Sequence, residues 1–579
     1  MKKIERMMKD KKTGKKRFHI ILIKPSKYDD DGYVIRWRLS VMTSNSLACL
    51  YALTKDVCDE RQVLGTDVEC AIHLFDETIQ KVPVKKLSRR ILKQGDRALV
   101  CMVGVQTNQY ARALDLALEF KAKGFNCMIG GFHVSGSLKM LPDKPPELQE
   151  ALDAGITLVG GEVETKWGDL LKAAYENRLK PIYDFLDDIP ELQGVPGPVL
   201  PKDMFDRYLS AQTTFDAGRG CPFKCSFCTI INIQGNKMRG RNEDDIEKLV
   251  RTNYSNGHRS IFITDDNFAR HPRWEAIADR LIHLKEKEGV RCSLTIQTDA
   301  SADRIPNFIE KMTRAGVRRV FIGIESVNPD NLQASGKYHN QLKNYRGMLQ
   351  KWRNHGAITC AGYIIGFPGD THESIMRDVE FLKKEIPLDL AEFFIMTPLP
   401  GSKDHQKAYL EKAPMQQDTN LYDAAHVCFD HPKMTADEFM RAYQDAWKSF
   451  YGKEHLRALM FRRKGPRRRL MFSSLVWFCG NIFLENTHPL LGGFFRVKGR
   501  GNRRRGYPKE ALISYYSRRT KESIAYTFKL LKMIWDLWLL KREADRPENA
   551  NYMDRAITPE PDTEKKLVVS VPKAKKVVA

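Results

Sequence analysis

No run of about 20 apolar residues, the length that spans a bilayer, occurs in this chain, and its apolar stretch from Leu470 to Leu484 falls short of one. The opening residues Met1-Lys2-Lys3-Ile4-Glu5-Arg6 lack the apolar core of a signal peptide, so no secretory signal is expected. A disulfide framework is missing too. Nine of the 12 cysteines, Cys49, Cys58, Cys70, Cys101, Cys127, Cys292, Cys360, Cys428 and Cys479, stand singly in apolar segments. Unpaired cysteines of that kind predict a reducing, cytoplasmic setting. Core-forming residues are not scarce: 42% of the 579 residues are hydrophobic and 29% charged, which suits two or three globular domains rather than disorder.

The other three cysteines fall on one short segment, Cys221-x-x-x-Cys225-x-x-Cys228, inside Gly218-Arg219-Gly220-Cys221-Pro222-Phe223-Lys224-Cys225-Ser226-Phe227-Cys228. A zinc site would need a fourth ligand, and no second cysteine pair or nearby histidine supplies it. Three thiolates can instead hold three irons of a cubane and leave the fourth open to chemistry. The spacing, with an aromatic residue before the last cysteine and Gly-Arg-Gly before the first, resembles the radical S-adenosylmethionine (SAM) superfamily. The resemblance implies a 4Fe-4S cluster on Cys221, Cys225 and Cys228 that cleaves SAM to a 5'-deoxyadenosyl radical. It also implies an electron donor such as flavodoxin or ferredoxin.

Upstream, from Phe18 to about Lys180, short apolar runs alternate with helical stretches. Phe18–Ile23, Val68–His73, Ala98–Val105, Cys127–Gly131 and Ile156–Gly161 read as parallel strands buried on both faces, and a doubly wound, Rossmann-like sheet follows. Ligands of such sheets sit beyond the strand carboxyl ends, where Gly130-Gly131-Phe132-His133 and Gly160-Gly161-Glu162-Val163-Glu164 fall. Glycine after a strand is commonly just a tight turn. Directly upstream of the cysteine loop, however, the pair resembles the cobalamin-binding domain of B12-dependent radical SAM enzymes, which implies Gly130, Gly131, His133, Gly160, Gly161 and Glu162 as cobalamin contacts. The Asp-x-His-x-x-Gly motif that supplies a histidine to cobalt in many B12 proteins is absent.

From about Thr213 to Val427 a strand-then-helix rhythm suits a partial (β/α) barrel, with strands at Thr214–Ala217, Ser260–Thr264, Ser293–Gln297, Arg319–Ile324, Ala361–Gly366 and Glu392–Met396. Polar residues follow them: Asp265-Asp266-Asn267 after the second and Glu325-Ser326 after the fourth. Both aspartates also suit helix capping. The resemblance implies SAM contacts at Gly323, Glu325, Ser326, Asp266, Asn267 and Gly366, and a substrate border at Thr397-Pro398-Leu399-Pro400-Gly401-Ser402.

Between Lys453 and Arg546 stand 23 Lys and Arg against 7 Asp and Glu, about +16 of the chain's +23. Arg462-Arg463-Lys464, Arg467-Arg468-Arg469 and Arg503-Arg504-Arg505 flank apolar helical runs, with a Trp-rich segment from Tyr526 to Arg542. The stretch reads either as a helical cap on the barrel or as a surface for an anionic membrane or a lipid-like substrate. Nucleic acid is a poorer fit, because the aromatics are not interleaved with the charges.

The expected fold is α/β: a basic tail at 1–17, a Rossmann-like cobalamin domain at 18–180, a linker at 181–208, a radical SAM partial barrel at 209–440, a basic helical domain at 441–546 and a disordered tail at 547–579. The expected function is methylation of an unactivated carbon of a hydrophobic or lipid-like small molecule, using a 4Fe-4S cluster, SAM and cobalamin. Two alternatives stand beside it, a cobalamin-linked cyclase or rearrangement enzyme and a tRNA-modifying methylthiotransferase. The protein is expected in the cytoplasm, with peripheral contact at the inner membrane face as an option.

Overall fold

The computed structural model describes residues 16–208 and 212–558. Its strands are β1 (Lys16–Lys24), β2 (Trp37–Leu39), β3 (Val68–Asp76), β4 (Arg97–Met102), β5 (Asn126–Gly130), β6 (Thr157–Gly160), β7 (Ile182–Asp184), β8 (Gln212–Phe215), β9 (Gly218–Arg219), β10 (Arg239–Gly240), β11 (Ser260–Ile263), β12 (Ser293–Asp299), β13 (Val317–Glu325), β14 (Ile358–Ile365), β15 (Leu390–Ile395) and β16 (Phe494–Arg496).

The first sheet runs β3-β1-β4-β5-β6-β7, all parallel. Strand β1 shows why. Phe18, Ile20 and Leu22 enter one core cluster while Ile21 and Ile23 enter another, so alternate residues serve helices on opposite faces, as a doubly wound sheet requires. The direction of winding reverses between β1 and β4. Strand β7 adds a sixth member inside the stretch read from sequence as linker.

The second sheet runs β15-β14-β13-β12-β11-β8, also parallel, with helices between successive strands, and is the partial barrel. Its outward residues pack on helices: Phe393 meets Trp447 of the helix Ala436–Phe450 edge to face, with ring centroids 5.1 Å apart. The alternate residues, Arg319, Phe321, Cys360, Glu392 and Phe394, therefore turn inward.

The C-terminal helices belong to the barrel's core, which takes in Met471, Leu475 and Phe478 of the helix Gly465–Cys479. The arginine clusters are largely internal staples. Arg462 pairs with Asp554, Arg463 with Asp389, Arg468 with Asp545, Arg504 with Asp418, and Arg505 with Asp115 and Glu150. Strand β16 pairs antiparallel with β2, tying this extension to the N-terminal domain, and Trp37 donates its indole N–H to the Leu491 carbonyl at 3.0 Å. Of the stretch read as a tail, residues 547–558 pack back on the protein with Ala556 and Ile557 buried; residues 1–15 and 559–579 lie outside the described residues.

Candidate active site at the carboxyl rim of the barrel

The cysteine loop leaves the two-residue ribbon β9, which pairs antiparallel with β10. Gly220, at φ +90°, makes the turn into Cys221, and a Cβ there would sit 2.4 Å from the Lys237 carbonyl oxygen. Only glycine fits. Burial raises all three thiols, Cys225 to about 11 and Cys228 to about 12, while Lys337 acts in the opposite sense on Cys225 and Asp266 raises Cys228 further. Thiols held this high ionise when a metal takes them. Among the described residues no three His, Cys, Asp or Glu side chains converge as ligands of one metal ion would. A cubane asks for something else, one thiolate at each of three irons.

Facing the loop is the end of β13. Register slips between Gly323 and Glu325 against β14, and Glu325 takes φ +63°, a left-handed conformation costing about 1–2 kcal/mol in a non-glycine residue. This bulge re-aims the carboxylate onto the Lys337 ammonium, which it contacts directly. A Cβ at Gly323 would come within 2.5 Å of Glu325 Oε1 and 2.8 Å of Lys337 Nζ, so the missing side chain is what admits the pair. Against the cost of burial, Glu325 and Cys225 hold Lys337 above its ordinary value. Lys337 carried no sequence signal.

After β11, Asp265 is buried and accepts the Ala217 N–H at 2.7 Å, at the foot of the cysteine loop. Asp266 opens onto the site but is walled by protein, and that desolvation pushes its carboxyl up to about 7. Asn267 is held by Asp299, donating to Oδ2 at 3.0 Å and accepting the Asp299 N–H at 3.2 Å. The other two SAM candidates have packing duties. Ser326 is fully buried, its hydroxyl accepting the Asn328 N–H at 3.0 Å. Gly366 lies under the Phe439 ring and donates its N–H to Asp370 at 3.0 Å.

The sequence model of the radical SAM superfamily matches residues 216–382, which spans β9 to the helix after β14. The bacteriochlorophyllide d C-8(2)-methyltransferase of Chlorobaculum tepidum is 28% identical over 351 residues, 56% of this chain and 72% of that protein. The hopanoid C-2 methylase of Rhodopseudomonas palustris is 28% identical over 201 residues, 33% of this chain and 37% of its own. The solved structure of the methyltransferase TsrM from Kitasatospora setae, with cobalamin and a 4Fe-4S cluster bound, has TM-score 0.54 and 15% identity over 79% of this chain and 99% of that one, and so shares the fold. Residues 216–382 thus carry a radical SAM domain, and the chain is similar to methyltransferases of that superfamily.

The two glycine motifs of the first sheet do unequal things. A Cβ at Gly131 would meet the Val105 backbone nitrogen at 2.1 Å, one at Gly161 the Phe185 carbonyl carbon at 2.7 Å, one at Gly130 the Val159 oxygen at 3.3 Å and one at Gly160 Leu138 at 3.1 Å. Protein, rather than open space, fills these turns. His133 is sealed against the Tyr110 ring, 4.3 Å between centroids. Glu147 comes within 3.4 Å of its Nε2 without hydrogen-bond geometry, and both ring nitrogens lack a partner. Ser137 Oγ, Asn108 Oδ1 and His405 Nδ1 are likewise buried and unsatisfied. These orphaned polar atoms gather on the side of the sheet domain facing the barrel, where Gly136 packs on the Pro400 backbone. These atoms are closed to the surface, so a group as large as cobalamin would reach them only where this face opens.

Glu162 faces the other way. It accepts from Arg219 Nη1 at 2.6 Å and Arg239 Nη2 at 2.5 Å, while Arg219 also reaches Glu164 at 2.5 Å and Asp216 at 3.0 Å. Asn45 donates to Asp216 at 3.1 Å. Although burial opposes it, Arg219 holds the Asp216 carboxyl below the usual carboxylate range. The Gly-Gly-Glu-x-Glu motif of one domain thus grips the Gly-Arg-Gly that opens the cluster loop of the next.

Inside the barrel, burial pushes the Glu392 carboxyl up to about 7; the Cys360 thiol donates to its Oε1 at 3.5 Å, and Oε2 has no partner. Arg319 donates to Ser474 at 3.2 Å and leaves Nε unsatisfied. Strand parity could have flagged these inward polar residues. The five upstream cysteines lie on separate elements: Cys49 in the helix Asn45–Lys55, Cys58 just after it, Cys70 on β3, Cys101 on β4 and Cys127 on β5. Cys58 interacts with Cys70 and Cys101 with Cys127, and among the described residues no three of them converge, which does not favour a methylthiotransferase with a second cluster.

Proposed function

We propose that the protein methylates an unactivated carbon of a hydrophobic, lipid-like small molecule, with electrons from a flavodoxin or ferredoxin. The observation that carries this is the meeting of three thiols, Cys225 buried and Cys221 and Cys228 half-buried, with Glu325 and Lys337 at the barrel rim, locked by Arg219 to the sheet domain. When bound, the cluster, SAM and cobalamin supply a hydrogen-abstracting radical and a methyl group. The chain's own residues do the rest. Cys221, Cys225 and Cys228 would each ligate one iron. Glu325, steadied by Lys337, and Asp266 would face the cationic groups of SAM, with Asn267 toward its hydroxyls and Gly323 keeping the space open. His133, Ser137 and Asn108 would meet cobalamin amides, and the Gly130-Gly131 and Gly160-Gly161 turns would shape the edge that receives it. Phe321 and Phe394 would line the substrate space, in a barrel bounded at about 209–440 between a sheet domain at 18–180 and the helical extension at 441–546. Bacteriochlorophyllide d and a hopanoid, for which two relatives are named, support a large apolar substrate.

The test is anaerobic reconstitution with iron, sulfide and hydroxocobalamin, then SAM and reductant. 5'-Deoxyadenosine should form and should vanish in Cys225→Ala, and labelled SAM methyl should enter a lipid extract but not tRNA. Deoxyadenosine without label transfer would move the reading to a cyclase or rearrangement enzyme. Failure to retain corrinoid would sink the methylation reading.

A further inference from the structure

The helix Leu512–Ala544 is 33 residues long, about 50 Å, and carries two apolar faces. One serves the fold: Tyr515, Leu530, Leu537 and Ala544 are buried, the last two in the barrel's core cluster. The other faces away from the protein. Of 17 large apolar side chains exposed among the described residues, eight lie on this helix. Ile513 is 84% exposed and Phe528 70%. Together with Tyr516, Ile524, Leu531, Trp535 and Leu539, and Thr520 filling one turn, they recur at intervals of 3, 4, 4, 4, 3, 4 and 4 residues. Such spacing draws one continuous stripe along the helix. Contiguous exposed apolar surface of this extent marks a contact with something else.

We propose that this stripe docks the protein on an anionic lipid surface, with the helix lying in the plane of the bilayer. The charges beside the stripe select that occupant. The helix holds seven Lys and Arg against three Asp and Glu, and among the described residues Lys521 and Lys529 have no carboxylate partner. Trp535 and Trp538 stack at 4.8 Å, and Arg542 lies over the Trp538 ring, a grouping suited to the headgroup layer. A second copy fits less well. Its helix would oppose seven cations with seven, and the intervals depart from the 3, 4, 3, 4 alternation of a left-handed coiled coil. Crossing is excluded for this helix, since none among the described residues is long and apolar enough to span a membrane. Arg462, Arg463, Arg468, Arg504 and Arg505 of the arginine clusters are committed to ion pairs within the protein, and the proposal does not draw on those clusters. The proposal rests on the helix and not on the methylation reading, and its test requires neither cluster nor cobalamin.

Co-sedimentation of the full chain with phosphatidylglycerol vesicles, beside neutral phosphatidylcholine vesicles, tests it. Binding to the anionic vesicles should weaken with salt. Phe528→Glu with Trp535→Glu, both fully on the exposed face, should lower vesicle affinity at least about tenfold with an unchanged melting profile. Lys521→Gln with Lys529→Gln should lower it several-fold and flatten the salt dependence. No binding to phosphatidylglycerol, or equal binding by parent and Glu variant, overturns the proposal. So does self-association without lipid that the Glu variant abolishes, because a second copy would then own the stripe.

Discussion

Two six-stranded parallel sheets stand side by side in this molecule and use their carboxyl edges in opposite ways. The barrel equips its edge with side chains: Glu325 in contact with Lys337, together with three thiols and Asp266; burial displaces the thiols and Asp266, and Glu325 displaces Lys337, from their ordinary chemistry. The first sheet equips its edge with absences of side chains, glycines that let backbone segments approach each other, and leaves buried polar atoms of His133, Ser137 and Asn108 unmet. A site for a small charged ligand and an iron cluster needs localised charge. An edge for a broad, neutral, amide-rimmed ligand needs shape and hydrogen-bonding capacity. One architecture serves both because strand ends fix position while loop residues choose chemistry.

The contrast can be broken in order of force. Lys337→Met strands a buried carboxylate at the barrel edge. A loss of about 3–5 kcal/mol is expected for such a pair, together with loss of deoxyadenosine formation, read by thermal unfolding and product assay. Retained SAM cleavage would show that the barrel edge does not depend on its charge pair. Arg219→Gln leaves Glu164 without its partner at the seam and weakens the hold on Glu162 and Asp216, which keep Arg239 and Asn45. Here about 3 kcal/mol and a large fall in iron content after reconstitution are expected, and normal iron loading would separate seam from cluster. Gly131→Ala should cost about 1–3 kcal/mol by overpacking and reduce corrinoid retention while leaving deoxyadenosine formation in place. If corrinoid stays and SAM cleavage falls, the division of labour between the edges is wrong.

The smallest effect concerns pH. His426 is raised to about 9 by Asp30 and Asp423, of which Asp423 also meets Lys27, where the first domain touches the barrel end. A folded value above the unfolded value of about 6.5 means stability fully present below pH 6.5 and lost as pH rises through 9. His426→Gln should therefore lower the melting temperature most at acid pH and converge with the parent above pH 9. A constant difference across the range would mean that packing rather than charge is at work.

Much of this was legible in the sequence, for reasons of range. Every strand of both sheets except β7, which lay in the stretch read as linker, fell where an apolar run was read, because a strand buried on both faces writes its character in consecutive residues. The thiols were legible because their spacing is local. Lys337 was not: it meets Glu325 only after a bulge and a short helix that no periodicity encodes. The role of Glu162 was also hidden, its partner Arg219 lying 57 residues away across a domain boundary. The arginine clusters looked like a free basic surface, since their carboxylates are scattered from Asp115 to Asp554. Periodicity showed that the last helix is apolar, but packing alone reveals which of its two faces remains uncovered.

The short pairing of β2 with β16 makes the first domain a bridge pinned at both banks. Its residues join the barrel through the 181–208 segment at one end and the C-terminal extension through Trp37–Leu39 at the other. With two tethers, a seam that lets go at Arg219 meets its partners again at high effective concentration, so the domains reclose on each other before they can drift apart. Whatever sits between sheet and barrel is thus framed by two ties, one near the middle of the sequence and one that joins its early and late residues.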